Sequence, residues 1–357
     1  MDLLRANSPL WKRFTGMEEY DPAFTDEYGR FPHYASNQAD IMSPTVSKFL
    51  VDHGVSFEYP NGKPYALCLT HDVDLIRTTW FGVAEETARA LRGRDFRRAG
   101  ETVGEAIRSL DGRQDPCRNF AEIIRLEEKY GAKSTFYFLA RRFWDDGWTY
   151  DVERLTDEIR DIVRNGWGVG LHGSPTSIDD LPALREERAR LEACAGKRVV
   201  GYRSHYLRFQ VPTTWENLAR TGFEYDTSYG TPYCVGFRNG MCHPFQPYNI
   251  LSNRLASLLE IPLQIMDFSF ARYMHVSERI GWEITKKIIN SSRALGGVTT
   301  ILWHNNYMPT FGEDFYRRIL EFGAENDAWM TSAEELCAWW RNQRYTNWQE
   351  SRESYLA

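Results

Sequence analysis

The feature that most constrains this chain is a rhythm. Short apolar runs alternate with stretches of helical period, and nearly every run ends in a polar or ionisable residue. The runs are Ala66–Leu69, Ser134–Leu139, Val169–His172, Val199–Arg203, Phe223–Asp226, Leu258–Leu263 and Val298–His304. Helical spacing covers 120–131, 152–165, 184–195, 214–221, 282–295, 315–322 and 333–344, and Gly166, Gly196, Gly222 and Gly296 stand where a helix should stop before the next strand. Strands separated by helices predict parallel βα units. An open sheet gathers polar residues only at its switch point, whereas a closed barrel brings every strand end to one rim. Polar residues at almost every strand end therefore predict a barrel, with seven strands.

Composition sets bounds on this picture. The 357 residues allow one large domain or two ordinary ones, and 42% apolar content suffices for a sizeable core. A formal charge of -6 without a basic patch argues against nucleic acid as a partner. The 12 Trp and 19 Tyr can stack on sugar rings, although most are expected in the core. No apolar stretch is long enough for a membrane span, and the first residues lack the apolar centre of a signal peptide, which predicts a cytoplasmic protein. The six cysteines are scattered without a C-x-x-C pair, suiting a reducing compartment and arguing against a zinc–thiolate site. Residues 1–60, rich in Pro, aromatics and acids, are expected to form a cap, with a short helix at Val46–Val51. Residues 61–345 form the barrel, with a charged helical insertion at 75–118, and 346–357 form a tail. The insertion's Arg and Glu residues predict a solvated face, with an anionic ligand as the alternative.

The first run leads into Thr70-His71-Asp72-Val73-Asp74. Period-two alternation puts Thr70, Asp72 and Asp74 on one face and His71 and Val73 on the other. Two carboxylates on one face repel, unless a cation lies between them or one stays protonated; a solvated loop or helix cap is the alternative. His172 alone would more often be structural, but with Asp72 and Asp74 it suits zinc or another divalent metal with an open position. Arg203 and His205 share a face, so Arg203 can pair with Asp72 and keep it ionised. Asp226 offers a carboxylate to orient a histidine, or caps a turn. His304 is the candidate general acid, with a core histidine as the alternative.

Taken in order, Thr70-His71-Asp72-Val73-Asp74, His172-Gly173-Ser174, Arg203-Ser204-His205-Tyr206, Tyr225-Asp226-Thr227-Ser228 and Leu302-Trp303-His304 resemble the five motifs of the polysaccharide deacetylase (NodB-homology, carbohydrate esterase 4-like) family, over roughly residues 63–340. The stretches around Tyr206–Phe209, Glu260–Leu263 and Trp303–Asn305 are similar to a branch with bacterial polysaccharide-locus members. The resemblance implies a distorted (β/α)7 barrel and metal-dependent N-deacetylation of acetamido sugars. It makes Asp72 the general base, Asp74 and His172 metal ligands, Arg203 the residue holding the base and His304 the acid, with Asp226, or else Asp267, tuning His304. Tyr206, Ser174 and Trp303 are the expected substrate contacts. Two departures stand out. The family's second motif carries another histidine where this chain has Thr176, and its third carries proline where this chain has His205, so His205 or water is expected to complete the metal shell. A nucleotide- or lipid-linked precursor is the expected substrate. The alternatives are a metal-free carbohydrate-binding barrel, or hydrolysis of another amide or a ring C–N bond.

Overall fold

The structure is a computed structural model that describes residues 1–38, 40–77, 83–84, 87–88, 91–92, 96–108, 115–142, 150–307 and 313–342. Five strands, β1 (Ala66–Val73), β2 (Thr135–Leu139), β3 (Gly168–Gly173), β4 (Gly201–Ser204) and β5 (Tyr225–Asp226), lie side by side in chain order, each parallel to the next. A small antiparallel pair, β6 (Tyr248–Asn249) and β7 (Arg254–Leu255), interrupts the pattern. The chain then returns as β8 (Leu259–Glu260), parallel to β5, and β9 (Leu263–Met266), parallel to β10 (Val298–Leu302), which lies against β1. Only Ile261 and Pro262 separate β8 from β9.

That one broken run closes the ring. Its first half joins β5 and its second half joins β10, so counting β8 and β9 together gives the seven staves expected of a distorted (β/α)7 barrel. Pro262 has no N–H to offer a ladder, which is why the run breaks there. An additional strand, β11 (Trp329–Ser332), pairs with Ala66–Leu69 of β1 below the point where β2 takes over. Neither β11 nor the β6–β7 pair carries a strand signal in the sequence pattern. Trp-Met-Thr-Ser is too short and too polar to announce a strand, and it runs directly into the helix Ala333–Asn342.

Two apolar layers follow from the alternation of side chains. Ala66, Cys68, Tyr137, Tyr225, Leu259, Ile261 and Val298 fill the barrel interior, and the helix Ala333–Asn342 plugs its lower end with Leu336, Cys337 and Trp340. The intervening residues, among them Leu67, Leu69, Phe136, Phe138, Val169 and Leu171, face outward into the shell of helices. Glycine makes the interior possible at two points. A Cβ on Gly170 would fall 2.3 Å from the ring of Tyr137, and one on Gly201 would fall 2.1 Å from that of Tyr225. The absent side chains leave room for two large rings beneath the upper rim.

The helices fall close to their expected places. Leu181–Ala195 is capped by the Asp180 carboxylate at its start, and Gly196 ends it at φ 67°. Leu4, Phe14, Val46 and Leu50 from the first 60 residues join the outer core. Glu19 accepts hydrogen bonds from the Tyr229 hydroxyl at 2.8 Å and from Arg238 Nε at 3.0 Å, fastening this segment over the connection that follows β5. Of the charged insertion, the helix Phe96–Arg108 is described; residues 78–82, 85–86, 89–90, 93–95 and 109–114, and the expected tail at 346–357, lie outside the described residues. Among the described residues no helix is long and apolar enough to cross a membrane.

Candidate active site and metal centre

The upper rim gathers the strand ends. Asp72 and Asp74 come from the end of β1, His172 from β3, Arg203 from β4, His205 from the turn after it, and His304 from just beyond β10. His71, one residue out of phase, points into the outer shell, where its Nε2 meets Glu127 at 2.9 Å. Glu127 is itself buried and accepts from Ser134 and Trp167 as well. The expected face assignment along β1 is therefore what the structure has.

Asp74, His172 and His205 each offer one ligand atom, and these atoms lie within 4.8 Å of one another. The hydrogen-bonding pattern fixes what those atoms can be. His172 Nδ1 lies 3.1 Å from the carbonyl oxygen of Arg203. A carbonyl only accepts, so Nδ1 carries the proton and Nε2 of a neutral ring presents a lone pair. That Nε2 faces Asp74 Oδ1 at 3.1 Å, yet both atoms are buried and neither has a hydrogen-bond partner. Two acceptors held face to face in a water-poor site need a positive charge between them, supplied by a proton or by a cation. Burial alone would lower the His172 pKa, but the Asp72 and Asp74 carboxylates outweigh it and raise it. His205 is the opposite case. Burial pulls it down to about 4, so the ring is neutral at physiological pH with a lone pair to give. Asp74 is held well below the usual carboxylate range, because His205, His172 and His304 outweigh the cost of its burial. One carboxylate and two imidazoles, one of them neutral, fit a divalent cation with an open position.

The flanks of this cluster are built differently. On one side Arg203, fully buried, reaches Asp72 Oδ1 at 3.4 Å and donates to the hydroxyls of Thr70 at 3.1 Å and Thr227 at 2.9 Å. Its guanidinium rests 5.1 Å above the ring of Tyr137, the ring admitted by Gly170. On the other side His304 Nδ1 meets Asp267 Oδ1 at 2.7 Å, and the His304 backbone N–H meets Asp267 Oδ2, also at 2.7 Å. Phe268 stacks on the imidazole at 4.2 Å. Burial works against the His304 imidazolium, but Asp267 prevails and raises its pKa to about 9. His304 Nε2 then lies 3.6 Å from Asp74 Oδ2, beside the cluster.

No protein-family model and no curated protein matches the sequence. Solved structures do match the fold. A candidate polysaccharide deacetylase from Mycobacterium smegmatis aligns at 21% identity over 82% of this chain and 96% of that one, with a TM-score of 0.56. The Puue allantoinase aligns at 15% identity over 90% and 100%, again at 0.56. A candidate polysaccharide deacetylase from Pseudomonas aeruginosa PAO1 aligns at 13% identity over 92% and 100%, also at 0.56. The chain has the fold of the polysaccharide deacetylases. At these identities the likeness carries the fold and leaves chemistry to the residues.

Within this deacetylase-like barrel several expected residues take other places. Asp226 does not meet His304. It accepts from the Ser228 hydroxyl at 2.6 Å and lies opposite Glu260 across the β5–β8 ladder. Burial raises the pKa of both carboxyls, and for Glu260 the neighbouring Asp226 adds to it, so this pair keeps a proton. Trp303 is fully buried and packs on Phe315 and Tyr316, on the opposite side of the strand from His304. Ser174 is buried too; its hydroxyl donates to Glu187 at 2.5 Å and so shapes the loop after β3. Thr176 is exposed and accepts from Arg141, outside the ligand cluster. Tyr206 is 45% exposed and stacks on His205 with centroids 4.0 Å apart. Tyr206 and Leu207 have φ of 60° and 51°, a left-handed turn that costs bulky residues roughly 1–3 kcal/mol each. Arg30, from the N-terminal segment, donates to the Tyr206 carbonyl and clamps that turn. Thr227, Phe268 and Arg30 have no individual signal in the sequence, whereas alternation along the first run already puts Thr70 on the face of Asp72 and Asp74. Asp267 had one, since it directly follows the apolar run of β9.

Proposed function

We propose that this chain is a metal-dependent hydrolase that removes the N-acetyl group of an acetamido sugar. The observation that carries the reading is the Asp74–His172–His205 cluster, flanked by an arginine-held carboxylate on one side and an aspartate-held imidazolium on the other. Two of the aligned structures are candidate polysaccharide deacetylases, which supports a carbohydrate amide as the substrate. The mixed nitrogen and oxygen ligand set favours zinc.

A divalent cation at this site supplies Lewis-acid polarisation of the amide carbonyl and a more acidic attacking water. Asp72, kept beside the Arg203 guanidinium, takes the proton of that water as its hydroxyl adds to the carbonyl carbon. His304 donates the proton on Nε2 to the departing nitrogen as the C–N bond breaks, leaving acetate and a free amine. Asp267 keeps the ring protonated and aimed during this exchange. Six free cysteines, five of them buried, suit a reducing compartment and agree with a substrate met inside the cell.

The test is acetate release from N-acetylglucosamine oligomers by zinc-loaded protein. Asp72→Asn should lower the rate by about 100-fold or more, the usual worth of a general base; a wild-type rate in that variant contradicts the assignment. A second reading, hydrolysis of a ring C–N bond, is favoured by the allantoinase alignment. Allantoin turnover without acetate release would select it. No bound zinc, even after zinc is added, would instead select the metal-free carbohydrate-binding barrel.

A further inference from the structure

A closed polar cluster lies behind the site, on the outward face of β1, and no step of the proposed reaction uses it. At its centre are His71 and Glu127, the latter from the helix Phe120–Lys129, both fully buried. Glu127 receives four groups. His71 Nε2 lies 2.9 Å from Oε1, which also accepts from the Tyr316 hydroxyl at 2.6 Å. Oε2 accepts from the Ser134 hydroxyl at 2.9 Å and from the Trp167 indole N–H. The other ring nitrogen, His71 Nδ1, lies 2.8 Å from the carbonyl oxygen of Trp303. A carbonyl only accepts, so Nδ1 carries a proton and donates. Nε2 and Oε1 do not face each other at 2.9 Å as two bare acceptors, so a second proton lies between them. Both nitrogens are thus engaged, and the ring has one orientation.

The Trp303 carbonyl is one end of the peptide group that leads into His304. The other end of that group is the His304 N–H, which donates to Asp267 Oδ2 at 2.7 Å. One peptide plane is therefore gripped at its oxygen by His71, from β1, and at its hydrogen by Asp267, from the end of β9. A third bond, from the Trp303 N–H to the Thr70 carbonyl at 2.9 Å, ties Trp303 to the residue before His71. The two bonds on the peptide reinforce each other, because a donor on the carbonyl polarises the amide and strengthens the bond that its N–H makes. Alternation along β1 explains how one strand does this. Asp72 faces inward and His71 outward, so the same strand carries the candidate base into the barrel and a clamp for the candidate acid's backbone out of it.

We propose that His71 is a positioning residue for the reaction. Through the Trp303–His304 peptide it fixes where His304 Nε2 stands relative to Asp72, and Glu127 locks the His71 ring in that grip. This rests on the deacetylase reading given above and adds to it a residue that touches neither the metal ligands nor the substrate. The acid must stand where the nitrogen departs and the base where the water enters, so a displacement of about 1 Å costs on the order of a hundredfold in rate. Such a displacement leaves the Asp74–His172–His205 ligand set in place.

The experiment compares two substitutions that each keep one contact of the ring. An asparagine amide nitrogen falls close to the place of Nδ1, and that of glutamine close to the place of Nε2. His71→Asn should keep the donor to Trp303 and give up Glu127, and His71→Gln should do the opposite. In zinc-loaded full-length protein, His71→Gln should lower kcat for acetate release from N-acetylglucosamine oligomers at least about tenfold, with KM within about twofold. His71→Asn should keep kcat within about threefold of wild type. Zinc affinity, by chelator competition, should be unchanged in both. A second readout needs no turnover: amide exchange at His304, taken relative to that at Phe136, should quicken at least about tenfold in His71→Gln and not in His71→Asn. If His71→Gln does not fold, the double variant His71→Phe with Glu127→Gln removes the buried charge together with the ring's donors, and the result expected of His71→Gln applies to it. Equal losses of kcat in the two single variants overturn the proposal, as does a wild-type kcat in His71→Gln. So does exchange that rises equally at His304 and Phe136, the outcome of a merely structural role. A wild-type chain that releases no acetate ends the deacetylase reading, while the exchange comparison still decides whether His71 holds this peptide. Acetate release with no difference between the variants does the reverse.

Discussion

Asp267→Asn is the sharpest probe of the acid side of the site. Asp267 receives three N–H groups: His304 Nδ1 and the Phe268 backbone on Oδ1, both at 2.7 Å, and the His304 backbone on Oδ2 at 2.7 Å. An asparagine has only one acceptor oxygen. In either orientation its amide N–H2 faces at least one backbone donor, leaving a buried N–H unsatisfied at about 1–3 kcal/mol. The larger effect falls on the imidazole. Its pKa of about 9 should drop toward the ordinary 6.5. At 1.36 kcal/mol per pH unit that is about 3 kcal/mol of imidazolium stabilisation, an upper figure because Asp74 and Asp72 also contribute. The signs are explicit. A raised histidine pKa stabilises the folded state fully below pH 6.5 and loses that contribution as pH rises through about 9, so the variant should be less stable than wild type chiefly on the acid side of that window. Activity should follow the acid form, with the alkaline limb of the rate profile moving down by roughly two pH units and the rate near pH 8 falling at least about tenfold. Acetate release across pH, together with the His304 ring nitrogen shifts by NMR, reads both effects. An alkaline limb unmoved in Asp267→Asn would refute the assignment of His304 as the protonated partner of Asp267.

Three further outcomes follow from the same geometry. Removing His205 as alanine should weaken zinc binding by at least about tenfold while leaving the chain folded, as measured by competition with a chromogenic chelator; unchanged affinity would take His205 out of the ligand set. Arg203→Met strips Asp72, Thr70 and Thr227 of their donor at once and should destabilise the fold by about 3–5 kcal/mol in urea titrations, the cost of leaving one buried charge unpaired. Asp226 and Glu260 have raised carboxyl pKa values, so they lower stability as pH rises above the ordinary range near 4.5; Asp226→Asn should flatten the stability profile above that pH, and an unaltered slope would show that the pair keeps no proton.

Much of this was readable before any coordinates, for a physical reason. Parallel staves place their carboxyl ends on one rim, so Asp72, Asp74, His172, Arg203 and His304 could be gathered from their positions after apolar runs. What the pattern could not supply was adjacency around the ring. Asp226 and Asp267 both end strands, and choosing between them requires knowing that β9, and not β5, lies beside β10. The expectation chose Asp226; the register puts Asp267 on the imidazole. Trp303 differs, since alternation from His304 turns it outward, onto Phe315 and Tyr316 and away from any substrate. Ser174 follows Gly173, where β3 has ended, so strand parity no longer applies to it. The contribution of Arg30 is wholly tertiary, made by a loop residue more than 170 positions away from the turn it supports.

The interrupted run Leu258–Met266 ties together two properties that proteins usually keep apart. Its first part holds the wall next to β5, its second part holds the wall next to β10, and the residue that follows steers the proton donor. Mechanical integrity and chemical competence thus share one hinge-like seam. Any fluctuation that unzips the Leu263–Thr300 contact should silence turnover before the remaining staves loosen, and amide exchange at Ile265 should track loss of rate more closely than exchange at Phe136 on the far wall.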